Sequence, residues 1–180
     1  MTTASKITIL RILLIPALMV CMLLDFRGSD LLALALFIIA GITDWIDGYI
    51  ARKYNQITNF GRFMDPLADK LLVTSAMLIF VQWGRIPAWL LMVVLTREFV
   101  ISGLRMMAAS KGIVIAAGTS GKVKTLVTLI GLGFMLSTFH DLVLVAGITV
   151  DHVVLAAILV TTVYSGLEYF LRNYRVFGEK

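Results

Sequence analysis

The stretch 44–52, DWIDGYIAR, follows directly on the apolar run LLALALFIIAGIT (31–43) and places two carboxylates at the end of a membrane-length segment. Two more follow in GRFMDPLADK (61–70), at the head of the next apolar run. A charge at a bilayer is costly, so four aspartates beside one require either compensation or a task.

The rest of the chain makes the bilayer the relevant solvent. Of its 180 residues 59% are hydrophobic, and the mean hydropathy is +0.94. The apolar excess falls in six runs of roughly membrane length, about 7–24, 31–51, 67–83, 87–109, 122–139 and 143–170. We therefore expect an all-α integral membrane protein with six transmembrane helices, forming a single domain over 1–180. The first run has no small-residue cleavage site and reads as a retained helix. The lone Cys21, inside an apolar run, reads as packing.

Alternating six helices puts both termini and the 52–66 and 105–124 connections on one side. Of the 16 basic residues, only Arg27 and Arg85 fall on the other side. That bias makes the crowded face cytoplasmic. The net charge of +5 is thus topological and suited to anionic lipid or a phosphorylated substrate, not to nucleic acid. The four aspartates share that face.

Residues three or four apart share a helix face. Asp44 and Asp47 are spaced i, i+3, and Asp65 and Asp69 are i, i+4, with Pro66 expected in the first turn of its helix. A short hairpin between the two helices lets both pairs converge. Four converging carboxylates repel unless cations lie among them, and their hard oxygens favour Mg²⁺ or Mn²⁺, as a pair of divalent ions. Gly48, Ala51 and Gly61 clear the helix faces beside the carboxylates for a bulky ligand. A cation transporter would also use acidic residues, but spread through the membrane depth; here they gather at one face.

Asp44, Asp47, Gly48, Ala51, Arg52, Gly61, Asp65 and Asp69 together resemble the full motif of the CDP-alcohol phosphotransferase family. TILRILLIP (8–16), TREFVISGLR (96–105) and GKVKT (121–125) are similar to its bacterial phosphatidylglycerophosphate synthases. The resemblance implies a six-helix enzyme of the bacterial inner membrane, a homodimer, with its active site at the cytoplasmic interface. It implies transfer of a phosphatidyl group from CDP-diacylglycerol to glycerol 3-phosphate, with CMP released; another acceptor such as inositol phosphate is the alternative. On this pattern Asp44, Asp47, Asp65 and Asp69 hold two divalent cations, and Asp69 is also the general base. Gly48, Ala51, Arg52 and Gly61 receive the CDP moiety.

The acceptor carries a dianionic phosphate, for which the same face offers Arg97, Arg105, Lys122 and Lys124. Arg97 lies in an apolar run beside Glu98, where an ionisable pair needs a partner or a function; Glu98 reads as its orienting group. Thr8 and Arg11 read as structure next to the site. Trp83, Trp89, Tyr169 and Tyr174 read as interfacial belt residues, and His140 and His152 as remote from the aspartates. Glu168 is expected to pair with an interior basic residue. From about residue 129 onward the chain offers no functional motif.

Overall fold

In the computed structural model, the description covers residues 3–24, 26–53, 59–110, 112, 115, 118–137, 143–145 and 147–174. Side chains are described for all of these except 3–6, 44–53, 59–63, 65, 66, 144 and 145. Six helices carry these residues: α1 (Thr3–Leu23), α2 (Ser29–Lys53), α3 (Asn59–Gln82), α4 (Ala88–Ser110), α5 (Thr119–Leu136) and α6 (Val150–Asn173). A two-stranded antiparallel hairpin, β1 (Val143–Val145) and β2 (Ile148–Thr149), precedes α6. The last apolar run therefore starts as a hairpin rather than a helix. Gly147 turns it at a φ of 81°, in the left-handed region open to glycine, and β-branched Val and Ile favour the extended strands.

α3 begins earlier than the apolar pattern suggests. Asn59 opens it, so Pro66 lies in its interior and not in its first turn. One proline removes one backbone donor, and α1 likewise continues through Pro16. Asp65 and Asp69 thereby lie about two and three turns from the start of α3 rather than in its first turn.

Side-chain contacts fix which helix ends meet. Arg85, in the turn after α3, bonds Asp151 at the start of α6 and the carbonyl of Met135 at the end of α5. Asp30, at the start of α2, lines the same small cavity as Arg85 and Met135. The opposite end holds the beginning of α3, the end of α4, the beginning of α5 and the end of α6. Gly84 makes the tight return between α3 and α4: at φ 74° it lets the Arg85 N–H reach the Phe80 carbonyl at 2.9 Å.

The core runs through α1–α6 and is built from Leu18, Phe37, Met77, Phe80, Leu132 and Ile158, all nearly or completely buried. Cys21 packs against it. Between the large residues sit the buried alanines Ala33, Ala40 and Ala76, and beside them Gly131, where a Cβ would come within 2.7 Å of Val154 Cγ1. Small residues at such crossings let helices approach closely, the packing that substitutes for a hydrophobic driving force in lipid. Thr125, Thr128 and Thr161 each bond a carbonyl one turn back in their own helix, which satisfies those three hydroxyls.

The outward surface is aliphatic and aromatic: Leu31, Phe99, Met106, Leu167 and Leu171 are all at least 60% exposed. Such a surface is consistent with an integral membrane protein. By length and composition α6 is long and apolar enough to cross a bilayer, whereas the apolar stretches Ile7–Leu23 and Ser29–Thr43 are shorter. The charged residues of α3, α4 and α5 interrupt their own apolar runs, and those charges gather at one end of the bundle.

Candidate active site

The aspartates occupy two helices that pack against each other, Asp44 and Asp47 in α2, Asp65 and Asp69 in α3. The side chains of Asp44, Asp47, Gly48, Ala51, Arg52, Gly61 and Asp65 lie outside the described residues. Asp69 is described: it is half-buried and lines a cavity of about 620 Å³.

The wall opposite Asp69 comes from one face of α4. Arg97, Ile101 and Arg105 are spaced by four, and so are Glu98 and Ser102; all five reach the same cavity. α5 closes the cavity with Gly121, Lys122 and Thr125. Three of the four cations expected from the sequence, Arg97, Arg105 and Lys122, thus face the same space as Asp69.

Lys124 is placed differently. It is 4% exposed, and its Nζ donates to Glu98 Oε1 at 2.9 Å. It lines an adjoining cavity of about 250 Å³ between α3, α4 and α5, which Asp69, Lys70 and Glu98 also border. Glu98 is the shared partner of this cluster. Its Oε1 also accepts from Arg97 Nη1 at 2.8 Å, and its Oε2 lies 4.0 Å from Lys70 Nζ. The orienting role expected of Glu98 therefore extends to three helices: it ties Lys70 of α3 and Lys124 of α5 to its own α4.

Lys70 was not singled out by the sequence pattern. It donates to Ser102 Oγ, which in turn donates to the Glu98 carbonyl at 2.7 Å. The available signal was its position directly after Asp69. With it, among the described residues, four basic side chains and two carboxylates border the larger cavity. One of those carboxylates, Glu98, is already shared with the buried Lys124.

α6 contributes what no motif suggested. Its Gly166 leaves the space that Arg97 occupies, since a Cβ there would lie 3.2 Å from Arg97 Cγ, and one at Gly121 would lie 3.4 Å from Arg97 Nη2. Arg97 thus threads between two glycines. One turn beyond Gly166, the Tyr169 hydroxyl accepts from Arg105 Nε at 3.1 Å. Tyr169 is buried, so it is not an interfacial belt residue, whereas Trp83, Trp89 and Tyr174 are exposed.

A model of the CDP-alcohol phosphatidyltransferase family matches residues 1–164. The chain belongs to this family. A Bacillus subtilis protein named CDP-diacylglycerol–glycerol-3-phosphate 3-phosphatidyltransferase is 44% identical to it, over 94% of both chains. A Haemophilus influenzae protein of the same name is 38% identical, over 91% of this chain and 88% of the relative. A probable phosphatidylglycerophosphate synthase of Mycobacterium tuberculosis is 34% identical, over 97% of this chain and 83% of the relative.

The sequence motif offers carboxylates as the donors expected for divalent cations. Among the described residues no three His, Cys, Asp or Glu side chains gather into a metal site, three of the four aspartates lying outside them. The donor types fit: the motif offers four hard carboxylates on two packed helices, and Asp69, the one whose side chain is described, borders the cavity. Thr8 and Arg11 of α1 are almost completely buried.

The remaining expectations concern residues away from it. Glu168 pairs at 2.8 Å with Arg172 on its own helix, one turn on and largely exposed, rather than with an interior cation. His152 caps α6 through Thr149, whose Oγ1 lies 2.7 Å from Nδ1. His140 lies outside the described residues.

Proposed function

We propose that this chain is a CDP-diacylglycerol–glycerol-3-phosphate 3-phosphatidyltransferase: it transfers the phosphatidyl group of CDP-diacylglycerol to sn-glycerol 3-phosphate and releases CMP. The observation that carries the reading is the sharing of one cavity by Asp69 and four basic side chains, Lys70, Arg97, Arg105 and Lys122. A carboxylate that can take a proton and a basic pocket that can hold a dianion face the same space. Serine offers no dianion to such a pocket.

The acceptor oxygen forms a bond to the β-phosphorus, and the bond from that phosphorus to the bridging oxygen breaks, so CMP leaves with the electron pair. Asp69 takes the proton of the acceptor hydroxyl. Arg105 and Lys122 hold the acceptor's phosphate, while Arg97, fixed by Glu98 and the two glycines, supplies a third cation deeper in the cavity. Gly48, Ala51 and Gly61 leave room for the nucleotide, and Arg52 pairs with its phosphate. Asp44, Asp47, Asp65 and Asp69 would hold a pair of Mg²⁺ or Mn²⁺ ions, which when bound neutralise charge developing on the phosphate oxygens.

The membrane arrangement belongs to the same proposal. Six helices cross the bacterial inner membrane with both termini and the aspartates on the cytoplasmic side, in accord with the distribution of basic residues. The membrane boundary is where a lipid donor and a water-soluble acceptor can meet. The homodimer is proposed from the family pattern.

Purified protein given CDP-diacylglycerol, a divalent cation and one acceptor at a time tests this directly. CMP is expected with glycerol 3-phosphate and not with serine. No CMP with glycerol 3-phosphate, or preferred turnover of inositol phosphate, overturns the acceptor assignment.

A further inference from the structure

Arg105 is an exposed side chain with one buried anchor. It lines the large cavity from the fourth position after Ile101, in a turn of α4 that also carries exposed Met106 and Met107. An arginine in such a place has about 2 kcal/mol of rotamer entropy to lose when it grips a ligand. Tyr169 of α6 removes part of that freedom beforehand. Its hydroxyl accepts from Arg105 Nε at 3.1 Å, and its ring centroid lies 5.5 Å from Arg105 Cζ. The tyrosine cannot follow a moving arginine, because it is 7% exposed and packed with Ile101 and Leu104 of α4.

The geometry points to Tyr169 as the positioning residue for the acceptor's phosphate, holding Arg105 through Nε so that both terminal nitrogens stay free for a phosphate. The guanidinium is planar, so one bond at Nε fixes its orientation and leaves the two-nitrogen fork that phosphate oxygens accept bidentately. The hydrogen bond acts along Nε, and the ring contact limits tilting. Tyr169 touches neither substrate; it acts through Arg105. This explains why α6, with no motif of its own, enters the site at all. The inference rests on the proposed acceptor reading and specifies which side chain sets its affinity.

Tyr169→Phe removes one oxygen and keeps the buried ring, so the α4–α6 packing is retained. Steady-state CMP release, with each substrate varied while the other saturates, is the measurement. We expect KM for glycerol 3-phosphate to rise about 3- to 10-fold, the net scale of one intramolecular hydrogen bond. KM for CDP-diacylglycerol should stay within twofold, and the loss should fall on KM rather than kcat. Arg105→Lys keeps the charge but has no Nε, so it should raise the same KM, and adding Tyr169→Phe to it should change nothing further. An unchanged acceptor KM in Tyr169→Phe overturns the inference. So does a full extra effect in the Arg105→Lys background, or a parallel fall in all parameters with a lowered thermal midpoint, which would mark packing alone. Failure of the acceptor reading shows separately, in the wild-type enzyme, as no turnover of glycerol 3-phosphate.

Discussion

The two ends of the bundle use charge in opposite ways. At the Arg85 end, one guanidinium meets one carboxylate: Nε and Nη2 reach Asp151 at 2.9 and 3.0 Å, Nη2 also bonds the Met135 carbonyl, and the Phe80 ring lies 4.9 Å from Cζ. Arg85 and Asp151 match each other, and the contacts tie the end of α3 to α5 and α6. At the Asp69 end, among the described residues, four basic side chains and two carboxylates border an open cavity. Matched charge closes a structure, whereas surplus charge around a space is an unfinished interaction that a ligand completes. The contrast separates clamp from site without appeal to motif.

The contrast can be broken in several ways. The largest effect is expected at Asp69. Asp69→Asn should lower kcat about 10²- to 10⁴-fold, the usual contribution of a general base, with little change in thermal midpoint; near-normal CMP release would end its role as proton acceptor. Arg105→Ala should come next, raising KM for glycerol 3-phosphate about 10- to 100-fold through the loss of charged hydrogen bonds. An unchanged KM in acceptor titrations would remove it from the acceptor pocket.

Arg85→Ala probes the other end. It leaves Asp151 and the Met135 carbonyl without their partner and should destabilise the fold by about 2 kcal/mol, less than for a fully enclosed pair. It should lower the thermal midpoint in detergent while kcat/KM of the folded protein stays near wild type. A selective loss of turnover at unchanged stability would erase the distinction between the two ends. The smallest effect is expected between them, at Gly131→Ala. A Cβ 2.7 Å from Val154 Cγ1 must push α5 and α6 apart at a cost of about 1–2 kcal/mol, again read as a lowered midpoint.

Much of the site was legible because helical spacing is local. Asp65 and Asp69, and likewise Arg97, Ile101 and Arg105, share a face wherever their helix packs, so sequence alone puts each group together. The hidden part was in the pairing between helices. Lys122 and Lys124 are two residues apart and alike in charge, yet one borders the cavity and the other is buried against Glu98. Only the rotation of α5 against α3 and α4 separates them. Tyr169 looked like an interfacial aromatic because an amphipathic ring suits both a membrane boundary and a buried anchor; the α4–α6 contact decides between them.

The sequence by itself determined the helical class, the carboxylate motif and the family, since apolar run length, charge type and i, i+3/i+4 spacing are properties of the chain. It also led to the expectation that basic residues crowd one face. The tertiary structure decided which of those cations stay available to a ligand and which are neutralised by Glu98. It brought Gly166 and Tyr169 across from the far end of the chain. Such choices depend on interhelical distances of a few ångströms, which side-chain volume and close packing set jointly and no local pattern encodes.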